Sequence, residues 1–261
     1  MGKGYAKRYL FAGPFFGEFG HELFCWQGRL RQLAAKYQKT YVWCPPDHAL
    51  FYEDFAEVNT VPRGIRGGPY QEEVQVIPPN YQLVHYKPEG KDKARALRQG
   101  NFYKQKFVRL GDKDQAPAAC VDVIIHARAR QHRQGENWPR KQWLKLVEQL
   151  RGAGYSVGHI GLADQACDLS KAGSKSFMGL NLRQLCGLLR YRCHLVVGSS
   201  SGPMHLASLC ERPHLVLTGK RNRSRYRKDW NPFGTAVTLI ESWHPPVEAV
   251  YDEAVRMLAG D

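Results

Sequence analysis

The apolar positions of the first sixty residues change period twice. Arg8–Ala12 (R-Y-L-F-A) is a short run that reads as a buried strand. It runs into a glycine-rich turn, Gly13–Gly20 (G-P-F-F-G-E-F-G). Leu23, Trp26, Leu30 and Leu33 then recur at three- and four-residue steps. That spacing predicts a helix with one apolar face, decorated on the other side by Arg29, Arg31 and Lys36. Thr40–Cys44 (T-Y-V-W-C) reads as a second strand, stopped by Pro45 and Pro46. Strand, helix and strand in such short succession make a βαβ unit, and hence a parallel sheet.

The middle of the chain has no such rhythm. Asn59–Pro88 is rich in Pro, Gly and Gln, with Val74–Ile77 as a short strand candidate. Lys91–Leu110 reads as a basic helix, and the polar stretch Gly111–Ala119 as a boundary. The alternation then restarts. Val121–His126 is a strand, and Asn137 is placed to cap a helix carrying Trp143, Val147 and Leu150 on one face, ended by Gly152 and Gly154. Tyr155–Ile160 is a strand, and Leu182, Leu185 and Leu189 mark a helix. Leu195–Gly198 is a strand, Pro203–Cys210 a helix and His214–Leu217 a strand. A closing helix spans Val247–Leu258. The pattern predicts two doubly wound α/β domains, 1–115 and 116–261, with ligands at the loops beyond the carboxyl ends of the strands.

Composition narrows the class. The chain has 261 residues, 43% hydrophobic and 24% charged, which suits a folded globular protein. It has no apolar run of about 18 residues, the length that a membrane span needs. Its first residues lack the long apolar stretch of a signal peptide. The seven cysteines form no C-x-x-C pair, so buried, reduced thiols in a cytoplasmic protein are expected rather than a disulfide framework or a zinc ribbon. Lys plus Arg is 38 against 24 for Asp plus Glu, a net charge of +14. That charge points to polyanionic partners: nucleic acid, an acidic membrane surface or phosphorylated small molecules.

The sharpest chemical signal is Val196–Cys210 (V-V-G-S-S-S-G-P-M-H-L-A-S-L-C). A strand ends, small hydroxyl residues follow, and a helix opens with Pro203 in its first turn, where proline is tolerated. Ser200 or Ser201 is placed to cap it. The N–H groups at such a helix end form an anion site. Arg128 and Arg130 follow the strand Val121–His126, and guanidinium forks match phosphate oxygens. His126, at the same strand end, reads as structural. No G-x-x-x-x-G-K-[ST] occurs, and Gly13, Gly17 and Gly20 do not give G-x-G-x-x-G, so neither a P-loop NTPase nor a Rossmann dehydrogenase fits.

S-S-S-G-P-M-H-L-A resembles the D-[ST]-G-P-M-H-L-A stretch of the heptosyltransferase-like glycosyltransferases, glycosyltransferase family 9. V-I-I-H-A-R-A-R…N-W-P-R-K-Q-W-L-K-L-V-E-Q-L (Val123–Leu150) is similar to the opening of that family's donor domain, and G-E-F-G-H-E-L (Gly17–Leu23) to its acceptor-side glycine loop. The resemblance implies a GT-B architecture of two Rossmann-like domains facing a cleft. It also implies inverting transfer from a nucleotide-sugar donor, with no metal required. By the same resemblance, Glu18 is the catalytic base, with His21 and Glu22 as rivals. Gly17, Arg128, Arg130, Ser199, Ser200, Ser201, Gly202 and His205 are donor-side candidates. The departure is Ser200, which stands where the family has aspartate.

The charge is densest at Lys220–Lys228 (K-R-N-R-S-R-Y-R-K). Lys220, Arg221, Arg223, Arg225, Arg227 and Lys228 are candidate contacts to a polyanion, with Tyr226 and Trp230 as aromatic surface for stacking on bases. Two acceptors are in play for a transferase. One is DNA carrying a hydroxymethylated base, favoured by the short chain and the cationic segment; such a base is turned out of the stack for reaction. The other is a lipopolysaccharide core glycolipid at an anionic membrane. A non-catalytic nucleic-acid-binding protein on a degenerate scaffold is the third reading, motivated by Ser200.

Overall fold

The computed structural model describes residues 7–15, 18–61, 81–84 and 105–260. The chain divides into two compact units, Met1–Val108 and Arg109–Asp261. Each is built on a parallel sheet.

In the first unit, β1 (Lys7–Ala12), β2 (Tyr37–Cys44), β3 (Glu57–Thr60) and β4 (Tyr81–Val84) lie in the order β3-β2-β1-β4. All three pairings are parallel. β1 ends at Gly13, whose φ of +91° and approach to the Trp43 carbonyl oxygen leave no room for a side chain: a Cβ there would lie 2.2 Å from that oxygen. The helix after the glycine turn is not continuous. A short α1 (Phe19–His21) passes into a π-turn, Glu22–Trp26, and then into α2 (Gln27–Ala34). The wider turn shifts the phase of everything beyond it. Glu22 through Gly28 are all buried, and Leu33 is only half-buried.

That phase shift overturns one expectation. Arg29 and Lys36 are exposed, but Arg31 is buried. Its guanidinium binds Asp54 at 2.7 and 3.0 Å, donates to the carbonyls of Lys106 (2.8 Å) and Phe51 (2.9 Å), and lies over the Phe55 ring. A buried arginine survives only when its donors are used in this way.

In the second unit, β5 (Val123–His126), β6 (Val157–Gly161), β7 (Lys175–Met178), β8 (Leu195–Ser199), β9 (His214–Leu217) and β10 (Val237–Ile240) lie in the order β10-β9-β8-β5-β6-β7, all parallel. Counted within the unit, that is the 3-2-1-4-5-6 order of a doubly wound dinucleotide-type sheet. The order reverses between β5 and β8, so the crevice at their carboxyl ends is the expected ligand position. The four residues of β5 and the five of β8 are all buried, as in sheets covered on both faces.

α3 (Arg140–Gly152) buries Trp143, Leu146, Val147 and Leu150, and α6 (Val247–Ala259) buries Val247, Val250 and Ala254. These faces join one core with Val123, Ile125, Val197 and Leu215. α4 (Leu182–Tyr191) starts from a reciprocal capping box: Asn181 accepts from the Gln184 N–H at 2.9 Å, and the Gln184 side chain accepts from the Asn181 N–H. Its N-x-x-Q signature was readable in the sequence. α5 (Gly202–Leu209) follows β8.

Several expectations change here. Asn137 does not cap α3, which begins at Arg140 after Pro139. Gln105–Leu110 are not helical, and the rest of the expected helix lies outside the described residues, as does Val74–Ile77. β3, β7 and β10, of four residues each, have no counterpart among the expected strands. The segment after Val108 packs within the second unit, with the Leu110 N–H donating to the Leu209 carbonyl at 2.9 Å. All seven cysteines are free; Cys25, Cys44, Cys186, Cys193 and Cys210 are buried, Cys167 is intermediate and Cys120 is exposed. Among the described residues no helix is long and apolar enough to cross a membrane.

Candidate functional site

The loops after β5 and β8 meet at the point where the strand order of the second sheet reverses. Gly198 makes the approach possible: a Cβ there would lie 2.7 Å from the Met204 sulfur and 3.0 Å from the His126 carbonyl oxygen. Ser199, Ser200 and Ser201 then lead into α5, with Ser201 at the N-cap position and Pro203 in the first turn. The first N–H groups of α5 lie at this end of the helix, where the sequence reading expects an anion.

Ser201 does not cap with its side chain. Its hydroxyl donates to the Ser199 carbonyl at 2.8 Å and pairs with His126 Nδ1 at 2.9 Å. A hydroxyl has one proton, so His126 is the donor in the second bond and carries its hydrogen on Nδ1. Burial, with Arg130 and Arg128 nearby, pushes the His126 pKa down to about 3. His126 is thus a neutral structural tie between β5 and the serine loop.

Arg128 is 2% exposed. Its Nη1 donates to the Ser200 carbonyl at 2.8 Å, its Nη2 to Glu136 at 3.2 Å and its Nε to Asn137 at 3.2 Å. Trp243 covers the guanidinium at 5.2 Å. Burial lowers the Arg128 pKa, opposed by Glu136. The fork expected to face a donor phosphate is therefore bound to protein oxygens, and it holds the serine loop in place. Arg130 is exposed. Asn137 pins its backbone, accepting from the Arg130 N–H at 3.3 Å and donating to the Arg130 carbonyl at 2.8 Å. Next to it, Trp138 is buried edge-on to Trp143 at 4.5 Å and donates to the Pro245 carbonyl at 3.0 Å. N-W-P is thus a loop clamp, a core anchor and a helix start in three successive residues.

The cationic segment is more structured than a solvated loop. It forms a 3-10 turn, Lys220–Asn222, and a π-turn, Arg225–Asp229. Lys220, Arg221, Arg223, Arg227 and Lys228 are exposed. Arg223 pairs with Glu241 at 2.5 Å, and Arg225 lies over Trp230 at 4.4 Å. Tyr226 and Trp230 are not the aromatic surface expected: they are 0% and 2% exposed. Both pack on His205, Tyr226 stacked at 4.6 Å and Trp230 edge-on at 4.6 Å. His205 is therefore a packed helix residue, 5% exposed. The Tyr226 hydroxyl donates to Ser200 Oγ at 2.9 Å, and burial pushes its pKa up to about 12. Around the serine loop, Glu136 and Trp243 went unnamed in the sequence reading, and Tyr226 and Asn137 were given other roles, as stacking surface and helix cap. Glu136 and Trp243 carried no signal in the sequence.

In the first unit, Glu18 stands at the N-terminus of α1 with its side chain 78% exposed, 4.0 Å from His21 Nδ1. Gly17 lies outside the described residues. Glu22 is buried, its carboxylate taking the Tyr52 hydroxyl at 2.6 Å and His48 Nδ1 at 2.7 Å. Of the two carboxylates, Glu18 is exposed and Glu22 is committed to the core. Among the described residues no group of three or more His, Cys, Asp or Glu side chains is placed to hold a metal ion.

The sequence pattern of glycosyltransferase family 9 (heptosyltransferase) matches residues 79–252. No curated protein matches the sequence. Among solved structures, the chain is similar to a glycosyltransferase of family 9 from Veillonella parvula, with 11% identity, 98% of each chain covered and a TM-score of 0.69. It is also similar to the ADP-heptose lipopolysaccharide heptosyltransferase II of E. coli, at 17% identity over 97% of this chain and 99% of that one, with a TM-score of 0.63. The iron-containing dodecameric glycosyltransferase TibC from enterotoxigenic E. coli aligns at 18% identity and a TM-score of 0.56. The match takes in 82% of this chain, which spans 58% of the length of TibC. The fold expectation stands: two parallel α/β sheets of the GT-B class.

Proposed function

The chain belongs to glycosyltransferase family 9, and from that membership we propose that it moves a sugar from a nucleotide-sugar donor to a hydroxyl acceptor, with inversion and without a resident metal. The observation that supports this best is the place of S-S-S-G-P-M-H-L-A. It runs from the end of β8 into the head of α5, at the reversal point of the strand order. A donor diphosphate belongs there, since helix N-termini favour anions.

The transfer we propose is a single displacement at the anomeric carbon. Glu18 takes the proton of the acceptor hydroxyl as its oxygen bonds to the anomeric carbon. The bond from that carbon to the donor phosphate oxygen breaks on the opposite face. Its electron pair leaves with the nucleoside diphosphate. The added negative charge is stabilised by the N–H groups at the head of α5 and by the exposed Arg130. Arg128 acts one step back, by holding the Ser200 carbonyl.

For the acceptor, we propose a phosphorylated glycolipid core of the lipopolysaccharide type in place of hydroxymethylated DNA. The exposed Lys220, Arg221, Arg227 and Lys228 suit phosphates of either, but the two aromatic side chains meant to stack on bases are buried. An ADP-linked heptose is the matching donor class. The test is product analysis by mass spectrometry, in chelator, with ADP-heptose and other nucleotide sugars. The acceptors are deacylated lipopolysaccharide core and, separately, duplex DNA carrying hydroxymethylcytosine. Transfer to the core supports the full reading. Transfer to DNA alone moves the acceptor, and failure to bind or turn over any nucleotide sugar overturns the transferase.

A further inference from the structure

The three serines before α5 are not equivalent. Ser201 uses its hydroxyl fully, on the Ser199 carbonyl and His126. Ser199 Oγ is completely buried and has no hydrogen-bond partner among the described residues. Ser200 Oγ accepts the Tyr226 proton at 2.9 Å. A serine hydroxyl that accepts still owns a proton of its own. Tyr226 therefore holds the side chain of Ser200, while Arg128 holds its carbonyl at 2.8 Å. The Tyr226 ring is fixed by its stack on His205, on α5 itself.

We infer that Tyr226 is a positioning residue for the donor: its hydroxyl fixes Ser200 so that the Ser200 O–H is left to donate to an oxygen of the bound nucleoside diphosphate. The inference rests on the donor reading above. A hydroxyl oriented by a buried tyrosine offers a donor to an anion, which an ionised carboxylate does not. It also accounts for the two aromatics of the cationic segment. They anchor that segment to the donor loop and are not a surface for stacking.

The test is calorimetric titration of the full chain with ADP, for the wild type, Tyr226→Phe, Ser200→Ala and the double variant. Phenylalanine keeps the stack on His205 and removes only the hydroxyl. Each single change is expected to raise the Kd for ADP about tenfold or more, the usual worth of one hydrogen bond to a charged group. The double variant is expected to lose no more than the larger single loss, because both remove the same bond. In turnover with ADP-heptose, the KM for donor rises by the same factor while kcat stays within about twofold, a split that a loss of fold would not produce. A wild type that binds ADP alongside a folded Tyr226→Phe that binds it equally well overturns the inference and leaves the donor reading intact. If Tyr226→Phe does not fold, Ser200→Ala decides alone, and unchanged ADP affinity in that variant overturns the inference. A wild type that binds no nucleoside diphosphate overturns the donor reading and this inference with it.

Discussion

Arg128 donates from Nη1 to the carbonyl oxygen of Ser200 at 2.8 Å, joining the loop after β5 to the loop after β8. The bond crosses the reversal point of the sheet, so the serine loop depends on a residue 72 positions earlier in the chain. Arg128→Ala leaves that carbonyl and the Glu136 carboxylate without their donor. We expect a loss of about 2–4 kcal/mol in urea unfolding. Arg128→Lys should recover only part of it, because an ammonium cannot reach three acceptors in the planar fork geometry. Equal stability of all three proteins would show that the loop is held by other contacts.

Glu18 and Glu22 should separate cleanly. Glu18→Gln changes an exposed side chain, so melting temperature and nucleotide affinity are expected to hold while kcat falls about 10²- to 10⁴-fold. A variant with near-normal kcat would take the base role from Glu18.

Glu22→Ala behaves in the opposite way. It strips the Tyr52 hydroxyl and His48 Nδ1 of their shared acceptor inside the core. A drop of about 2–4 kcal/mol in stability is expected, read by thermal or urea unfolding. A variant as stable as the wild type but catalytically dead would make Glu22 the functional carboxylate.

Stability should fall with acid before the carboxylates titrate. Burial pushes His126 down to about 3 and His214 down to about 4, against 6.5 for a free imidazole. Between those values and 6.5 the unfolded chain binds protons that the folded chain does not. The unfolding free energy therefore decreases as pH falls from about 6.5 toward 4. The limiting slope is about 1.4 kcal/mol per pH unit for each histidine. Denaturant titrations at pH 7.5, 6 and 5 measure it. A flat profile across that range would mean that neither imidazole is held neutral.

The cationic segment is expected to act through charge. Reversing Arg221, Arg227 and Lys228 to glutamate should raise the KM for a phosphorylated acceptor at least tenfold at low salt. The gap should narrow as ionic strength rises and screening removes the advantage of the wild type. An acceptor KM that responds to neither charge nor salt would dissociate the segment from acceptor binding.

Much of the fold was legible because local patterning and topology agreed. Val123–His126 and Leu195–Ser199 are apolar runs closed by turn residues, and they became the two central strands. Trp143, Val147 and Leu150 share the helical spacing that places them in the core. Where the reading failed, a local rule had a rival. The stretch Leu23–Leu33 has a helical period, but the π-turn at Glu22–Trp26 shifted its phase and drew Arg31 inside. Asn137 looked like a helix cap and instead clamps the backbone of Arg130.

By itself, then, the sequence determined the alternation of strands and helices, the parallel sheets and the serine-rich head of α5. Each of these follows from period, turn chemistry and cap composition within a few residues. The tertiary structure alone decided which polar groups are used and which remain available. Arg128 and Arg130 are two residues apart and chemically alike, yet one is buried on Ser200 and Glu136 while the other is exposed. Tyr226 sits in a run of cations that reads as surface, yet it is buried on His205 and bonded to Ser200. The reason is physical. Burial and hydrogen-bond satisfaction depend on what the rest of the chain brings alongside, and here that partner lies tens of residues away.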